Sequence, residues 1–297
     1  MNTSFGLEKA TPIRVPATAN LMIDSQDAGF AVNPWDFQIT KKQSLITGFF
    51  TRIGATEMVL EWCRPNISAD ASNNWITMTL ESNIYNATVH TFALPTGFYT
   101  VQQALETLIL DINDVSGGAW GGSVSFNQYV DGGALDVSGA GAQIFIVQNP
   151  KIPGQAGYFP QLVDLLDIQP QESLADKFTF GCTDLRRYRY LDFVCDRLTA
   201  VQDVKDSSTQ TYNRDVLLRW YFAEDVPETP DGFGFPILQG YRPFFRRRIY
   251  NPPKQIKWEQ SVPVGNLPFS VFDENGNLLP QEGDESEWLM TLQLSEG

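Results

Sequence analysis

The stretch Glu287-Trp-Leu-Met-Thr-Leu-Gln-Leu294 puts Trp288, Met290, Leu292 and Leu294 on one side of an extended chain and Thr291 and Gln293 on the other. A period of two with one apolar side marks a half-buried β-strand. Met58, Leu60 and Trp62 alternate in the same way with Val59, Glu61 and Cys63. Working outward, further strands are expected at Trp35 to Thr40, Glu57 to Arg64, Trp75 to Leu80, Thr88 to Leu94, Ile144 to Val147 and Lys177 to Phe180. Others are expected at Tyr188 to Leu198, Val216 to Phe222, Arg246 to Tyr250, Gln255 to Glu259 and Leu267 to Phe272. This succession of short strands predicts an all-β sandwich, and the lack of any repeat of ~20–50 residues argues against a solenoid or propeller.

Two helical insertions interrupt the strands. Thr100-Val-Gln-Gln103 forms a capping box, and Val101, Ala104, Leu105, Leu108, Ile109 and Ile112 share one helical face, so a helix of about three turns should cover a sheet edge or face. Pro160-Gln-Leu-Val-Asp-Leu-Leu166 reads as a short helix with proline in its first turn. Residues 1–34 carry Pro12, Pro16 and Pro34 without sustained periodicity and read as an extended N-terminal arm that orders only against something else. Residues 35–297 then read as one all-β domain, with a long hairpin or insertion near 115–142, where eight glycines surround Ser123-Val-Ser-Phe126.

The 297-residue chain has 35 acidic and 21 basic residues, a formal net charge of -14, so specific nucleic-acid binding is not expected. No run approaches the ~18 apolar residues of a membrane span, and the opening MNTSFGLEKATPIRVP lacks a signal peptide's apolar core; the chain reads as soluble and made in the cytosol. Cys63, Cys182 and Cys195 contain no CxxC pair and are expected to be reduced core thiols. His90, the single histidine, lies in a strand and reads as structural. Asp111 with Asp114, and the tail acids Glu282, Asp284, Glu285 and Glu287, look like a helix end and a solvated turn rather than acid–base pairs. Asp273-Glu-Asn-Gly-Asn277 fits a hairpin turn better than a calcium loop. No phosphate-binding, nucleophile-elbow or dinucleotide motif occurs, so no catalytic residue, cofactor or metal is expected.

Three stretches stand out: Thr91-Phe-Ala-Leu-Pro-Thr-Gly-Phe-Tyr-Thr100 running into the helix; Leu191-Asp-Phe-Val194 with Val216-Leu-Leu-Arg-Trp-Tyr-Phe222; and Gly240-Tyr-Arg-Pro-Phe244, Arg248-Ile-Tyr-Asn-Pro-Pro-Lys-Gln-Ile-Lys-Trp258 and Leu267 to Leu279. Together they resemble the penton or minor capsid protein of virophages and polinton-like viruses, the small capsid protein at the five-fold vertices of icosahedral shells. A second proline before Lys254 departs from the family's N-P-K-x-I-x-W. The resemblance covers residues 30–294 with gaps. It implies a single jelly roll, a homopentamer at the capsid vertex, the double jelly-roll major capsid protein as neighbour, and a place in the virion after synthesis in the host cytosol.

Charge is distributed unevenly in support of an association role. Residues 242–257 hold Arg242, Arg246, Arg247, Arg248, Lys254 and Lys257 with no acid, whereas residues 273–297 hold seven acids and no base. Those six basic residues are the expected contacts to another subunit or to the capsid, through steering and orientation. The alternatives are a jelly-roll carbohydrate-binding module, with Trp62, Trp75, Trp120 and Trp220 as a stacking platform, and a vertex-associated minor or spike protein. A cupin-type enzyme is disfavoured because a single histidine cannot supply its metal ligands.

Overall fold

Strand β3 (Arg52–Trp62) lies inside a sheet because its Met58, Leu60 and Trp62 are buried while Glu57, Val59 and Glu61 face outward. Its setting was defined from a computed structural model that describes residues 18–28, 33–40, 46, 50–71, 73–81, 87–126, 132–139, 141–146, 162–168, 173–181, 185–199, 216–222, 243–253, 255–257, 265–282 and 286–296. The sheet runs β1 (Thr18–Asp24), β15 (Glu287–Ser295), β3, β12 (Phe244–Ile249), with β13 (Gln255–Lys257) pairing the start of β3 after a turn containing Pro252 and Pro253. The second sheet runs β11 (Val216–Tyr221), β10 (Tyr190–Val194), β14 (Asn266–Phe272), β2 (Asp36–Thr40).

The pairings form four nested antiparallel ribbons: β1 with β15, β2 with β14, β3 with β12, and β10 with β11. Successive ribbons alternate between the two sheets, so the nest rolls up into an eight-stranded jelly roll. Its core is the interdigitated inner faces of both sheets. Trp288, Met290, Leu292 and Leu294 from β15 meet Phe37, Phe193, Leu267, Phe269 and Trp220 from the opposite sheet.

A second cluster sits in the long connection between β3 and β10. There β5 (Thr88–Ala93), β4 (Trp75–Glu81) and β8 (Gln143–Ile146) form one three-stranded sheet, and β6 (Gly121–Phe126), β7 (Gly133–Ser138) and β9 (Lys177–Phe180) another. Helix α1 (Val101–Val115) buries Val101, Ala104, Leu105, Leu108 and Ile112 among Ile76, Met78, Leu135, Ile144 and Phe178. Helix α2 (Leu162–Leu165) adds Leu162. The glycine-rich stretch is thus the β6–β7 hairpin, and Gly132 needs its glycine, since φ is +127° and a Cβ would meet the Phe180 carbonyl oxygen at 2.3 Å.

The capping box at α1 is closed in both directions. The Gln103 amide donates to Thr100 Oγ1 at 3.2 Å, and the Thr100 amide donates to Gln103 Oε1 at 3.0 Å. Thr100→Ala is expected to cost about 1 kcal/mol; an unchanged denaturation midpoint would show that the box adds nothing.

Three expectations are corrected. The extended arm does not reach residue 34: Thr18 to Asp24 pair residue by residue with β15, from Thr18 opposite Ser295 to Asp24 opposite Leu289, because Ile23 and its alternate neighbours Leu21 and Ala19 pack against the core. Residues 1–17 lie outside the described residues. The strands at 75–81 and 88–93 belong to the inserted cluster and not to the roll, because their apolar faces meet helix α1 and the β6–β7–β9 sheet side of that cluster. The expected strand from Tyr188 to Leu198 stops at Val194, and a single turn, α3 (Asp196–Thr199), follows with the Cys195 carbonyl accepting from the Leu198 and Thr199 amides.

Candidate functional surface

Strand alternation divides the arginine run. On β12, Phe244, Arg246 and Arg248 stand opposite Trp62, Leu60 and Met58, whose side chains are buried, whereas Phe245, Arg247 and Ile249 stand opposite the outward Glu61, Val59 and Glu57. Arg248 lies across the margins of both sheets: it donates to the Tyr221 carbonyl at 2.8 Å, and its guanidinium sits 4.1 Å from the Trp220 ring centre. Arg247 donates from Nε to Glu57 Oε1 on the outer face, and this contact holds its guanidinium pKa above the usual range. Lys257 stands opposite Arg52 at the far end of the same sheet. Arg242 and Lys254 lie outside the described residues.

The acidic block is likewise dispersed. Asp273 caps its own turn, accepting from the Asn275 and Asn277 amides at 2.9 and 2.7 Å, with Gly276 at φ 79°; this is the hairpin turn read from the sequence. Burial pushes the neighbouring Glu274 carboxyl up. Glu287 accepts from Gln26 Nε2. Glu282 accepts from both terminal nitrogens of Arg187 and lies 3.7 Å from Nε of Arg64, whose side chain is fully buried.

Arg64 gathers polar and aromatic partners in the interior. Its guanidinium lies 5.4 Å from the Trp35 ring centre and 5.7 Å from that of Trp62, and it donates to the Pro280 carbonyl at 2.7 Å. Arg187 lies over the Tyr188 ring, and burial pushes the Tyr188 hydroxyl up despite both guanidiniums. Nothing in the local pattern around residue 64 signals this site, because its partners lie far along the chain.

On the outer face of the β11-β10-β14-β2 sheet, Asp192 accepts from Nε and a terminal nitrogen of Arg219 at 2.6 and 2.9 Å. The Arg219 guanidinium stacks 4.1 Å from the Tyr190 ring centre and 5.9 Å from that of Tyr221. These contacts hold it charged, with its pKa raised chiefly by the Asp192 hydrogen bonds.

The enzyme-like candidates are placed in ordinary surroundings. His90 Nε2 is 2.8 Å from Thr88 Oγ1 and its ring stacks on Phe92. Burial first, and Asp114 second, push the Asp111 carboxyl up. Among the described residues no group of three or more His, Cys, Asp or Glu side chains is arranged to hold a metal, and no helix is long and apolar enough to cross a membrane. The tryptophan platform is corrected: Trp62, Trp120 and Trp220 are buried, the first and last in the roll and Trp120 in the inserted cluster, so they cannot form one sugar-stacking surface.

Cys63 is half-buried and Cys195 buried; Cys182 lies outside the described residues. Desolvation pushes the Cys195 thiol up to about 12. Its neutral form is the one the fold accommodates, so its contribution to stability is complete below the unfolded thiol's pKa and falls as pH rises toward 12. In the native protein at pH 8, iodoacetamide is expected to modify Cys63 well before Cys195; equal rates would show that Cys195 is not sealed in the core.

No family model matches this sequence, and no curated protein matches it. Among solved structures the chain matches the crystal structure of selenomethionine-labelled mavirus penton protein, over 95% of this chain and 99% of that one, with a TM-score of 0.46 and 10% identity. The chain is similar to a penton protein.

Proposed function

We propose that this chain is a structural, non-enzymatic capsid protein that forms the pentameric vertex of an icosahedral shell, in the virion, beside a double jelly-roll major capsid protein. The observation that carries the reading is where the family-like stretches fall. Leu191 to Val194 and Val216 to Phe222 make the innermost ribbon of the roll, the Arg248-to-Leu279 stretch supplies the end of β12 with β13, β14 and the following turn, and Thr91 to Thr100 leads into the capped helix α1. The stretches within 191–222 and 248–279 therefore fall on strands of one eight-stranded roll rather than on unrelated hairpins, and Thr91 to Thr100 leads into the helix of the inserted cluster. A roll of this kind can close a ring through heterologous contacts, each subunit offering one lateral surface to a different surface of its neighbour.

Within this reading, Arg242, Arg246, Arg247, Arg248, Lys254 and Lys257 remain proposed contacts, with Arg247 and Lys257 the described members carried on the outer sheet face. Purified full-length chain is expected to give five-fold class averages by electron microscopy and a pentamer's mass by sedimentation. A chain that stays monomeric at every concentration, and is not recruited by the major capsid protein, would overturn the proposal.

A further inference from the structure

Three of the most exposed large apolar side chains, Phe245 at 70%, Ile249 at 66% and Met22 at 64%, lie on the outer face of the β1-β15-β3-β12 sheet. In the strand register Met22 shares a row with Ile249, Phe245 lies two rows on, and Leu289 and Val59 fill the row between. Single exposed apolar residues are ordinary on a protein surface, but an apolar band joining both margins of a sheet marks an interaction site. The same three rows carry Asp24, Glu57, Glu61 and Glu287 against Arg247. Glu287 stands directly opposite Glu61 on the adjacent strand, an unfavourable pair that a cation would relieve.

Size, connectivity and charge select the occupant. With strands ~4.8 Å apart and same-face residues ~6.6 Å apart along them, the band covers about 300 Å². That is well below the ~800 Å² per partner of a stable interface between folded proteins, and it suits a single run of chain. The chain enters this sheet at its margin, where β1 starts with Thr18 opposite Ser295, and 17 residues precede it. Those residues, outside the described ones, hold Lys9 and Arg14 against Glu8 in a chain of net charge -14, together with the apolar Phe5, Leu7, Ile13 and Val15.

We infer that residues 1–17 lie across this face of their own molecule, with Phe5 and Leu7 against Phe245 and Ile249 and with Lys9 beside Glu61 and Glu287. Extended chain spans about 3.3 Å per residue, so Ile13 and Val15 reach the Met22 row, which lies about 13 Å from Thr18. Lys9 has about 30 Å of chain before Thr18, against roughly 28 Å from Thr18 to Glu61 two strands away. Phe5 and Leu7 have the length to go on to the far margin. The run must fold back over the face, and Pro16, which has no amide hydrogen with which to extend the β1 ladder, stands where that reversal is needed. The contact is within one molecule, so it stands or falls independently of the pentameric vertex.

Limited trypsin digestion of the full-length chain over a dilution series tests it, through the cleavage rates of the Lys9–Ala10 and Arg14–Val15 bonds. A docked segment is cut only while it is open. The double variant Phe245→Asp, Ile249→Asp is therefore expected to lose both bonds at least tenfold faster than the wild type at every dilution, with an unchanged circular dichroism spectrum. Met22→Lys should act in the same direction, whereas Leu110→Asp, equally exposed but on helix α1, should be cut as the wild type is. In the unaltered chain, carbodiimide should couple Lys9 to Glu61 or Glu287 within one molecule, which keeps the test decisive if the face variants do not fold. Equal cleavage rates in the wild type and the folded face variants, or no coupling of Lys9 to either acid, would overturn the assignment. Protection that disappears on dilution would give the segment to another copy's face and overturn it as well, whereas a chain that never forms pentamers would leave it standing.

Discussion

Trp288→Ala is expected to lower the unfolding free energy by about 3–5 kcal/mol, the range for truncating a buried aromatic side chain. Trp288 projects from the interior strand β15 and is 2% exposed. Its ring centre lies 5.6 Å from Phe37, 5.1 Å from Phe193 and 6.0 Å from Phe269, three side chains from β2, β10 and β14 of the facing sheet. Its indole N–H donates to the Pro34 carbonyl at 2.9 Å, and its amide donates to Ser25 Oγ at the same distance, which ties the turn after β1 and the entry to β2 onto the sandwich. Alanine would open a void between the sheets and leave the Pro34 carbonyl without that donor. Trp288→Phe keeps much of the volume and loses the N–H, so it should cost less, about 1–2 kcal/mol. Denaturant melts followed by tryptophan fluorescence and by circular dichroism measure both variants. A Trp288→Ala cost below about 1 kcal/mol would mean that the two sheets are not held together at this point.

The side chains that make Trp288 central were legible from the sequence, because their information is local. Strands β14 and β15 and the second half of β3, from Glu57, alternate cleanly, and the face of α1 follows a 3.6-residue period behind a capping box, so each was readable without knowing its partner; the first half of β3 was not, because Ile53, Gly54 and Ala55 are all buried and the register shifts beyond them. Strand β1 was not, because exposed Met22 between half-buried Leu21 and buried Ile23 blurs the alternation, and the nearby prolines suggested a chain unable to pair. The end of β10 was missed for a related reason: the register shifts between Phe193 and Val194, and the buried apolar residues Val194, Cys195 and Leu198 flank the charged pair Asp196-Arg197 on which α3 begins. Assigning β4 and β5 to the inserted cluster needed non-local pairing, which no window of residues contains. The arginine run shows the opposite case. Residues 246–248 are contiguous in charge, but once β12 is known to be a strand their side chains must alternate, and only Arg247 can share the outer face with Phe245 and Ile249.

Arg64→Met is expected to destabilise the protein on the order of 3 kcal/mol, although methionine approximates arginine's length and is compatible with an aromatic cage. Arg64 leaves the end of β3, Arg187 and Tyr188 lead into β10, and Pro280 and Glu282 precede β15, so the site joins three separate crossings of the chain. Methionine would fill part of the space between Trp35 and Trp62 but would leave the Pro280 carbonyl without a donor and Glu282 with one guanidinium in place of two. Breaking one partner of a buried ionic group commonly costs ~3–5 kcal/mol, even where replacing the entire group by apolar residues costs little. Arg64→Lys should recover little of the loss, because an ammonium cannot reproduce the planar fork that reaches Pro280 while lying against both indoles. The cost should also be nearly the same at low and high salt, since the Arg64 side chain is fully buried, whereas the exposed Arg247–Glu57 pair should weaken as salt rises. In a double-mutant cycle, Arg64→Met with Glu282→Gln should cost less than the sum of the two single changes, because each removes a charge whose absence the other tolerates. Strict additivity of the pair, or a single-variant cost below about 1 kcal/mol, would show that the three crossings are held by apolar packing and that the charges at their junction are incidental to the fold.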